Sequence, residues 1–186
     1  MENESPSNVE LMARVGRDDM AALGVLAQRH RVHVLSLAYR LLGDWHEAED
    51  IAQETFLRVR QAARGYEPQA KFTTWLYRII HNLSMDRHRR AARAPLPLEA
   101  AQEIQTEDPS RNSPAERAEL TELVQKAIAQ LSDRQRRVVV LHRYEGLSHV
   151  EISEVTGWSK SAVESLLVRA YENLRKNLAE HEDFAR

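Results

Sequence analysis

The sequence predicts an all-α protein, built as two small helical domains joined by a flexible linker. Only 6 of its 186 residues are glycine and 6 are proline, while the abundant Ala, Leu, Arg and Glu residues favour helices. Hydrophobic residues recur at steps of three and four over most of the chain, as they do in amphipathic helices. A proline-rich stretch without this period interrupts the pattern. We therefore expect domains at residues 1–92 and 115–186, with the linker at residues 93–114.

The first two helices of the first domain are defined by their ends. The hydrophobic period indicates one helix over about residues 19–42, and Gly43 ends it because glycine readily takes the left-handed conformation. Asp44 and Glu47 have the spacing of a capping box, in which each side chain bonds a free backbone amide of the other residue. The second helix accordingly starts there and continues to about Ala63.

A loop and a third helix complete this domain. The loop is predicted at residues 64–70 by its Gly and Pro, and the helix runs from Phe72 to about Ala92. The third helix combines Trp75 with a cluster of arginines. Aromatic and cationic side chains together suit unpaired bases, which stack on rings while arginine neutralises phosphate. A tryptophan such as Trp75, considered alone, is more often a core residue than a stacking platform.

Charge is segregated between the second and third helices, although the formal net charge of the whole chain is only −2. Residues 41–57 have no Lys or Arg and carry the acidic residues Asp44, Glu47, Glu49, Asp50 and Glu54. Residues 71–93 are basic, with Lys71, Arg78, Arg87, Arg89, Arg90 and Arg93 against Asp86 alone. Opposed surfaces of this kind indicate one cationic and one polyanionic partner. Two solvated helix faces would give the same runs.

The second domain should begin with helices at residues 115–130 and 133–144 and end in a helix-turn-helix, the commonest motif for entering a DNA major groove. The caps and stops of its two helices are Ser148, Glu151, Gly157 and Ser159. The outward face of the second helix would carry Lys160, Ser161, Glu164, Ser165, Val168 and Arg169. A helical hairpin inside an ordinary bundle could show the same caps.

The sequence argues against several other kinds of site. It contains no cysteine, hence neither disulfides nor thiolate metal ligands. No apolar run approaches the roughly 18 residues of a membrane span, and the first residues are polar, so we expect neither membrane insertion nor a signal peptide. The 8 histidines lack the spacing of zinc-protease or di-iron sites, and no Gly-rich phosphate loop is present. We expect a cytoplasmic protein with no cofactor, no metal and no catalytic residue.

Three segments, taken in order, carry a family resemblance. AEDIAQETFLRV at residues 48–59, KFTTWLYRIIHNLSMDRHRR at 71–90 and EGLSHVEISEVTGWSKSAVESLLVRA at 145–170 resemble the sigma-70 superfamily. More narrowly, they resemble the extracytoplasmic-function, or group four, sigma factors, which keep only regions two and four. On this resemblance, residues 1–92 correspond to region two and residues 115–186 to region four.

The resemblance implies an alternative bacterial sigma factor, which binds core RNA polymerase, recognises a promoter, helps to melt it and has no chemistry of its own. Its partners would be promoter DNA, an anti-sigma factor, and core polymerase through the beta-prime coiled coil and the beta flap. In that family the acidic helix of region two docks on the coiled coil. The matching positions in this chain are Asp50, Gln53 and Glu54.

The resemblance also implies two DNA-binding sets. A flipped base of the minus-ten element is captured in that family by positions that match Arg58, Ala62, Tyr66, Ile79 and Asn82. Tyr66 would stack on this base and Asn82 would bond its edge, with Arg78 and His81 making the surroundings of Asn82 wet and basic. The minus-thirty-five element is read by the recognition helix, at positions matching Ser161, Glu164, Ser165, Val168 and Arg169.

Two positions depart from the family pattern. Many members carry Lys or Arg where this chain has Glu164, and Arg where it has Leu166, so phosphate anchoring at the recognition helix would be weaker. Glu164 could instead accept a hydrogen bond from a cytosine amino group. The acidic linker resembles the family's connector in the RNA path of polymerase, and a disordered tether would have the same composition. A dimeric helix-turn-helix repressor would explain the second domain but not the opposed charges of the first.

Overall fold

The computed structural model describes residues 6–91 and 114–179. Within these ranges the regular structure is entirely helical, which confirms the all-α prediction. The predicted linker lies outside the described residues except for its last residue. The helices form two compact units, which are described separately. The first contains α1 Asn8–Val15, α2 Met20–Leu42, α3 Trp45–Ala62 and α4 Phe72–Ala91, and the second contains α5 Pro114–Ala129, α6 Asp133–Val139, α7 His149–Thr156 and α8 Lys160–Ala179.

Helix α2 lies at the centre of the first unit and packs against α1, α3 and α4. Its buried side chains recur at three- and four-residue steps, as the sequence predicts for an amphipathic helix. They include Ala22, Leu26, His30, Val34, Leu37 and Leu41. The facing residues of α3 are Ala48, Ile51, Ala52, Thr55 and Val59, and those of α4 include Leu76, Tyr77 and Ile80.

The junction between α2 and α3 forms as predicted except for one contact. Gly43 takes the left-handed conformation at φ 76° and ends α2. The Asp44 carboxylate then accepts the backbone N–H of Glu47 over 2.8 Å and caps α3. The Glu47 carboxylate does not close the capping box, because it pairs instead with Arg87 of α4, with Nε and Oε2 2.6 Å apart. Only half of the predicted box therefore forms.

Helix α1 was not predicted from the sequence. Ser7 caps it in a complete capping box with Glu10, whose backbone N–H lies 3.2 Å from the Ser7 hydroxyl oxygen. Leu11, Met12 and Val15 are all buried against the rest of the unit. The capping box was readable in the sequence, but eight residues span little more than two turns, too few to establish a hydrophobic period.

Polar contacts attach the start of α1 to α2. Arg29 donates from Nη1 to the Asn8 side-chain oxygen over 2.7 Å. His30 is only 8% exposed, with its Nε2 3.3 Å from the same oxygen and its ring centroid 5.1 Å from that of Phe72. Burial lowers the pKa of His30, and the positive charge of Arg29 and the neighbouring His33 lower it further.

We expect the stability of the first unit to decrease as the pH falls below the ordinary histidine pKa of 6.5. The unfolded chain then binds a proton that the folded His30 still excludes, and the loss continues until the pH reaches the lowered pKa of the folded state. Urea unfolding on both sides of this pH measures the effect. His30→Gln should reduce the dependence, whereas His46→Gln, at a side chain 91% exposed, should not. Equal slopes for wild type and His30→Gln would contradict this assignment.

The second unit ends in the predicted helix-turn-helix. Ser148 and Glu151 form the capping box of α7, and Gly157 ends that helix at φ 73°. The Ser159 hydroxyl accepts the backbone N–H of Ala162 over 3.2 Å and caps α8. The predicted helix at residues 133–144 differs, because α6 gives way to a π-helical segment, Val140–Tyr144. No helix of the described residues is long and apolar enough to cross a membrane.

Candidate functional site

A cavity of about 420 Å³ lies between α3 and α4 in the first unit. Its walls contain four of the five residues predicted to capture a base, namely Arg58, Ala62, Ile79 and Asn82. Two come from α3 and two from α4, at least 17 residues further along the chain. The packing of α3 against α4 therefore brings residues from two sequence segments into one site. The spacing of residues within each segment shows only which of them share a helix face.

Tyr66, the fifth predicted residue, lies beside the cavity without lining it. Its ring centroid is 4.9 Å from that of Trp75 and 6.2 Å from that of Phe72, in both cases edge to face. The side chain is half-buried and burial raises the pKa of its hydroxyl. Tyr66 thus packs edge to face against Trp75, and Trp75 is the aromatic residue in the cavity wall.

Four further residues line the cavity that the sequence analysis did not assign to it: Gln61, Trp75, Leu83 and Asp86. The signal for Trp75 and Asp86 was present, because positions 75, 79, 82 and 86 follow one another at three- and four-residue steps and lie on one face of a helix. The prediction for His81 was wrong. This residue is 3% exposed and so does not form part of a solvated face, although its Nδ1 lies 3.4 Å from the Asn82 side-chain oxygen.

The chemistry of the cavity suits a nucleobase. Trp75, Ile79 and Leu83 give apolar and aromatic surface on which a flat ring can stack. The exposed Asn82 amide carries two N–H donors that can bond a base edge, and its acceptor oxygen lies 3.4 Å from His81 Nδ1. Arg58 supplies positive charge at the same wall. The arrangement can hold a stacked base, bond its edge and neutralise its phosphate.

The predicted acidic surface lies on the solvent side of α3, but its charges are paired. Asp50 accepts from Arg87 Nη2 over 2.8 Å, and Arg87 also forms an ion pair with Glu47. Glu54 accepts from Arg58 Nε over 2.7 Å. Gln53 is exposed between them. The acidic run at residues 41–57 contains no Lys or Arg, yet Arg58 and Arg87 compensate three of its carboxylates, those of Glu47, Asp50 and Glu54.

The outward face of α8 is exposed as predicted, including Ser161, Glu164, Ser165, Val168 and Arg169. The buried face is Val163, Leu167 and Ala170. Glu164 has two neighbouring nitrogens, the Lys160 Nζ at 3.8 Å and the His149 Nδ1 at 3.6 Å, of which the lysine carries a positive charge. These distances exceed hydrogen bonds, so they mark charge compensation of a side chain that can still turn toward a ligand. Among the described residues, no three His, Cys, Asp or Glu side chains group as a metal site.

Comparison with known proteins agrees with this geometry. Residues 26–94 match the family model of sigma-70 region 2, and residues 121–174 match that of sigma-70 region 4. The ECF RNA polymerase sigma factor SigW of Bacillus subtilis is 34% identical over 176 residues, which cover 89% of this chain and 93% of that protein. The ECF RNA polymerase sigma factor SigE of Mycolicibacterium smegmatis is 38% identical over 160 residues, covering 84% of this chain and 61% of that protein.

A solved structure gives the same result for the fold. CnrH, determined in complex with the cytosolic domain of CnrY, has a TM-score of 0.68 to this chain at 26% identity, and the match covers 93% of this chain and 97% of that one.

Proposed function

Because the chain belongs to the extracytoplasmic-function sigma factors and so directs promoter-specific initiation by bacterial RNA polymerase, we propose that its two units recognise different promoter elements. The first unit captures a base of the minus-ten element and the second reads the minus-thirty-five element. The observation that supports this division is the cavity that joins Arg58 and Ala62 of α3 to Ile79 and Asn82 of α4.

In the first unit, we assign separate tasks to the residues around the cavity. A flipped base stacks on Trp75, which packs edge to face against Tyr66, while Asn82 bonds the exposed base edge. Extruding a base costs a few kcal/mol, which these contacts offset. Arg58 faces the backbone of the same nucleotide. The protein needs no catalytic group for this task, because melting exchanges base pairs for protein contacts without breaking covalent bonds.

The polymerase-binding surface in this proposal is the exposed side of α3. Asp50, Gln53 and Glu54 would dock on the beta-prime coiled coil, as the resemblance implies. Asp50 and Glu54 are held by their own arginines, so a cationic partner must compete with these bonds. Because exposed ion pairs are weak, breaking them costs little free energy when the partner binds. The second unit would contact the beta flap, and an anti-sigma factor would cover the polymerase- and DNA-binding faces. Such a complex would form in the cytoplasm, where polymerase acts.

Run-off transcription with core polymerase on genomic fragments, followed by mapping of start sites, tests the proposed function. We expect transcripts that depend on the added chain and start at a common distance from shared upstream and downstream elements. Specific binding to duplex DNA by the chain alone as a dimer, without any effect on polymerase, would instead support a helix-turn-helix repressor.

In the second unit, Glu164 should select a base pair in the minus-thirty-five element. Glu164→Gln should tighten nonspecific binding of the holoenzyme and reduce discrimination at one position by about 1–3 kcal/mol, because a carboxylate can accept from a cytosine amino group. The gain in nonspecific binding should be small, since Lys160 already offsets this charge. Titrations on promoters with each upstream base pair replaced, at two salt concentrations, measure both effects. If Glu164→Gln leaves the base preference unchanged at every position, Glu164 does not read the sequence. The base contacts would then come from Ser161, Ser165, Val168 or Arg169.

Replacing Arg169 tests whether this residue contacts a phosphate or a base. If it contacts a phosphate, Arg169→Ala should lower the salt slope by about 0.9, whereas loss of a guanine contact would change discrimination at one base pair.

A further inference from the structure

Two residues assigned above to different ligands are bonded to each other. Arg58 Nε donates to Glu54 Oε1 over 2.7 Å, one turn apart on α3. Glu54 belongs to the proposed polymerase-binding surface, and Arg58 lines the proposed base cavity. The Arg58 side chain is 55% exposed, so its long stem is free to adopt other conformers once Glu54 is occupied.

We propose that Arg58 couples the two partners: in the free chain it neutralises Glu54, and polymerase contact at Glu54 releases it to the phosphate of the captured nucleotide. This inference rests on the proposed function and adds a positioning role that connects its two binding surfaces. A cationic group of polymerase at Glu54 takes over the carboxylate, and it also repels the guanidinium nearby. Arg58 then pairs with the next available anion.

The charges around the cavity favour this transfer. Among the eight described residues that line it, Arg58 alone is cationic. Asp86, which lines the same cavity, is paired with Arg89. The phosphate of a nucleotide whose base lies against Trp75 and Asn82 therefore meets Arg58 as its nearest positive partner in the wall. Guanidinium groups bind phosphate through paired N–H donors, a stronger contact than the single bond to Glu54.

The size of the coupling is limited by the strength of the bond that must be broken. An exposed pair at positions i and i+4 is weak, so we expect a change of about two- to threefold in affinity for single-stranded DNA. Linkage requires the same factor in the other direction, so bound DNA should raise the affinity for polymerase two- to threefold as well.

The test measures binding of the free full-length chain to a labelled single-stranded oligonucleotide with the minus-ten sequence found by start-site mapping. Fluorescence anisotropy at low salt gives the affinity and its salt dependence. Glu54→Gln frees Arg58 without polymerase, and should raise the affinity about two- to threefold and the salt slope by about 0.7, the contribution of one phosphate contact on a single strand. The gain should disappear when Arg58→Gln is added.

Glu49→Gln is the matched control. It removes the same charge from α3, and Glu49 lies near His46 rather than Arg58. We expect no increase in affinity from Glu49→Gln. Three results would each overturn the shared role of Arg58. The affinity for the oligonucleotide could rise equally with Glu49→Gln, or its rise with Glu54→Gln could persist when Arg58→Gln is added. The third result is a Glu54→Gln chain that binds no better than wild type.

Asn82→Ala distinguishes a failure of the coupling from a failure of the proposed function. Asn82→Ala could lower the affinity of the holoenzyme for the oligonucleotide or reduce its base preference while Glu54→Gln leaves the affinity of the free chain unchanged. In that case the cavity captures a base and only the coupling fails. If Asn82→Ala changes neither affinity nor base preference, the assignment of the cavity itself is wrong.

Discussion

Replacing both Asp50 and Glu54 by arginine should abolish assembly with core polymerase while leaving the chain folded. The double variant reverses the charge at the centre of the proposed polymerase-binding surface, and like charges placed across an interface cost several kcal/mol. Asp50 is 63% exposed and Glu54 38% exposed at the side chain. We therefore expect a loss of binding well beyond any loss of stability.

The intramolecular pairs set the expected effect on stability. Each substitution breaks one exposed ion pair, with Arg87 or with Arg58, and places a second positive charge beside it. Exposed pairs contribute about 1 kcal/mol or less to stability. With the added repulsion between like charges, we expect the free energy of unfolding to fall by about 1 kcal/mol for each substitution. Arg87 keeps its ion pair with Glu47 in the double variant, which limits the loss of stability where α3 and α4 pack.

Titration of the labelled chain with core polymerase, together with circular dichroism, separates the two effects. The control is Glu67→Arg with Glu122→Arg, two exposed positions away from α3 that receive the same change of charge. The control should assemble normally. A folded Asp50→Arg and Glu54→Arg chain that still forms holoenzyme at the wild-type concentration would contradict the assignment of this surface.

The helix-turn-helix illustrates what the sequence predicts well. Its caps depend on residues three positions apart, Ser148 with Glu151, and on a glycine that takes positive φ at the stop. Such signals are local and act the same way in any fold. The sorting of α8 into an exposed and a buried face follows equally from its spacing alone.

Contacts between helices were the part that the sequence could not predict. Arg87 reaches from α4 to Glu47 and Asp50 on α3, 37 to 40 positions earlier, and this long-range pair replaces half of a predicted capping box. The base cavity likewise depends on two stripes that face each other only after α3 and α4 pack. Spacing shows which residues share a face, but not which face meets another.

The α6 region shows where the helical period itself fails. Val138, Val139, Val140 and Leu141 are four consecutive buried residues, all at most 2% exposed. A regular amphipathic helix cannot direct four successive side chains to one side. The chain changes to a π-helical segment at Val140, which the sequence analysis had included in a single helix.

Trp75→Ala should impair promoter melting more than any other single substitution in the first unit. Loss of a stacked base costs about 1–3 kcal/mol, or roughly five- to 150-fold in the equilibrium for capture. Tyr66→Ala should act in the same direction but less strongly, because its ring supports Trp75 at 4.9 Å rather than lining the cavity. Asn82→Ala should mainly relax the choice of base. All three variants should still bind core polymerase, since none lies on the acidic surface of α3.

The measurement compares open-complex formation on a duplex promoter with that on a template whose minus-ten region is already unpaired. A defect in melting should be severe on the duplex and reduced on the unpaired template, because the second template removes the cost of opening the base pairs. Tyr66→Phe keeps the ring on Trp75 and removes only a hydroxyl that has no hydrogen-bond partner among the described residues, so it should behave like wild type where Tyr66→Ala does not. If Trp75→Ala and Asn82→Ala both open the duplex promoter at the wild-type level with unchanged base preference, the cavity between α3 and α4 does not receive the minus-ten base.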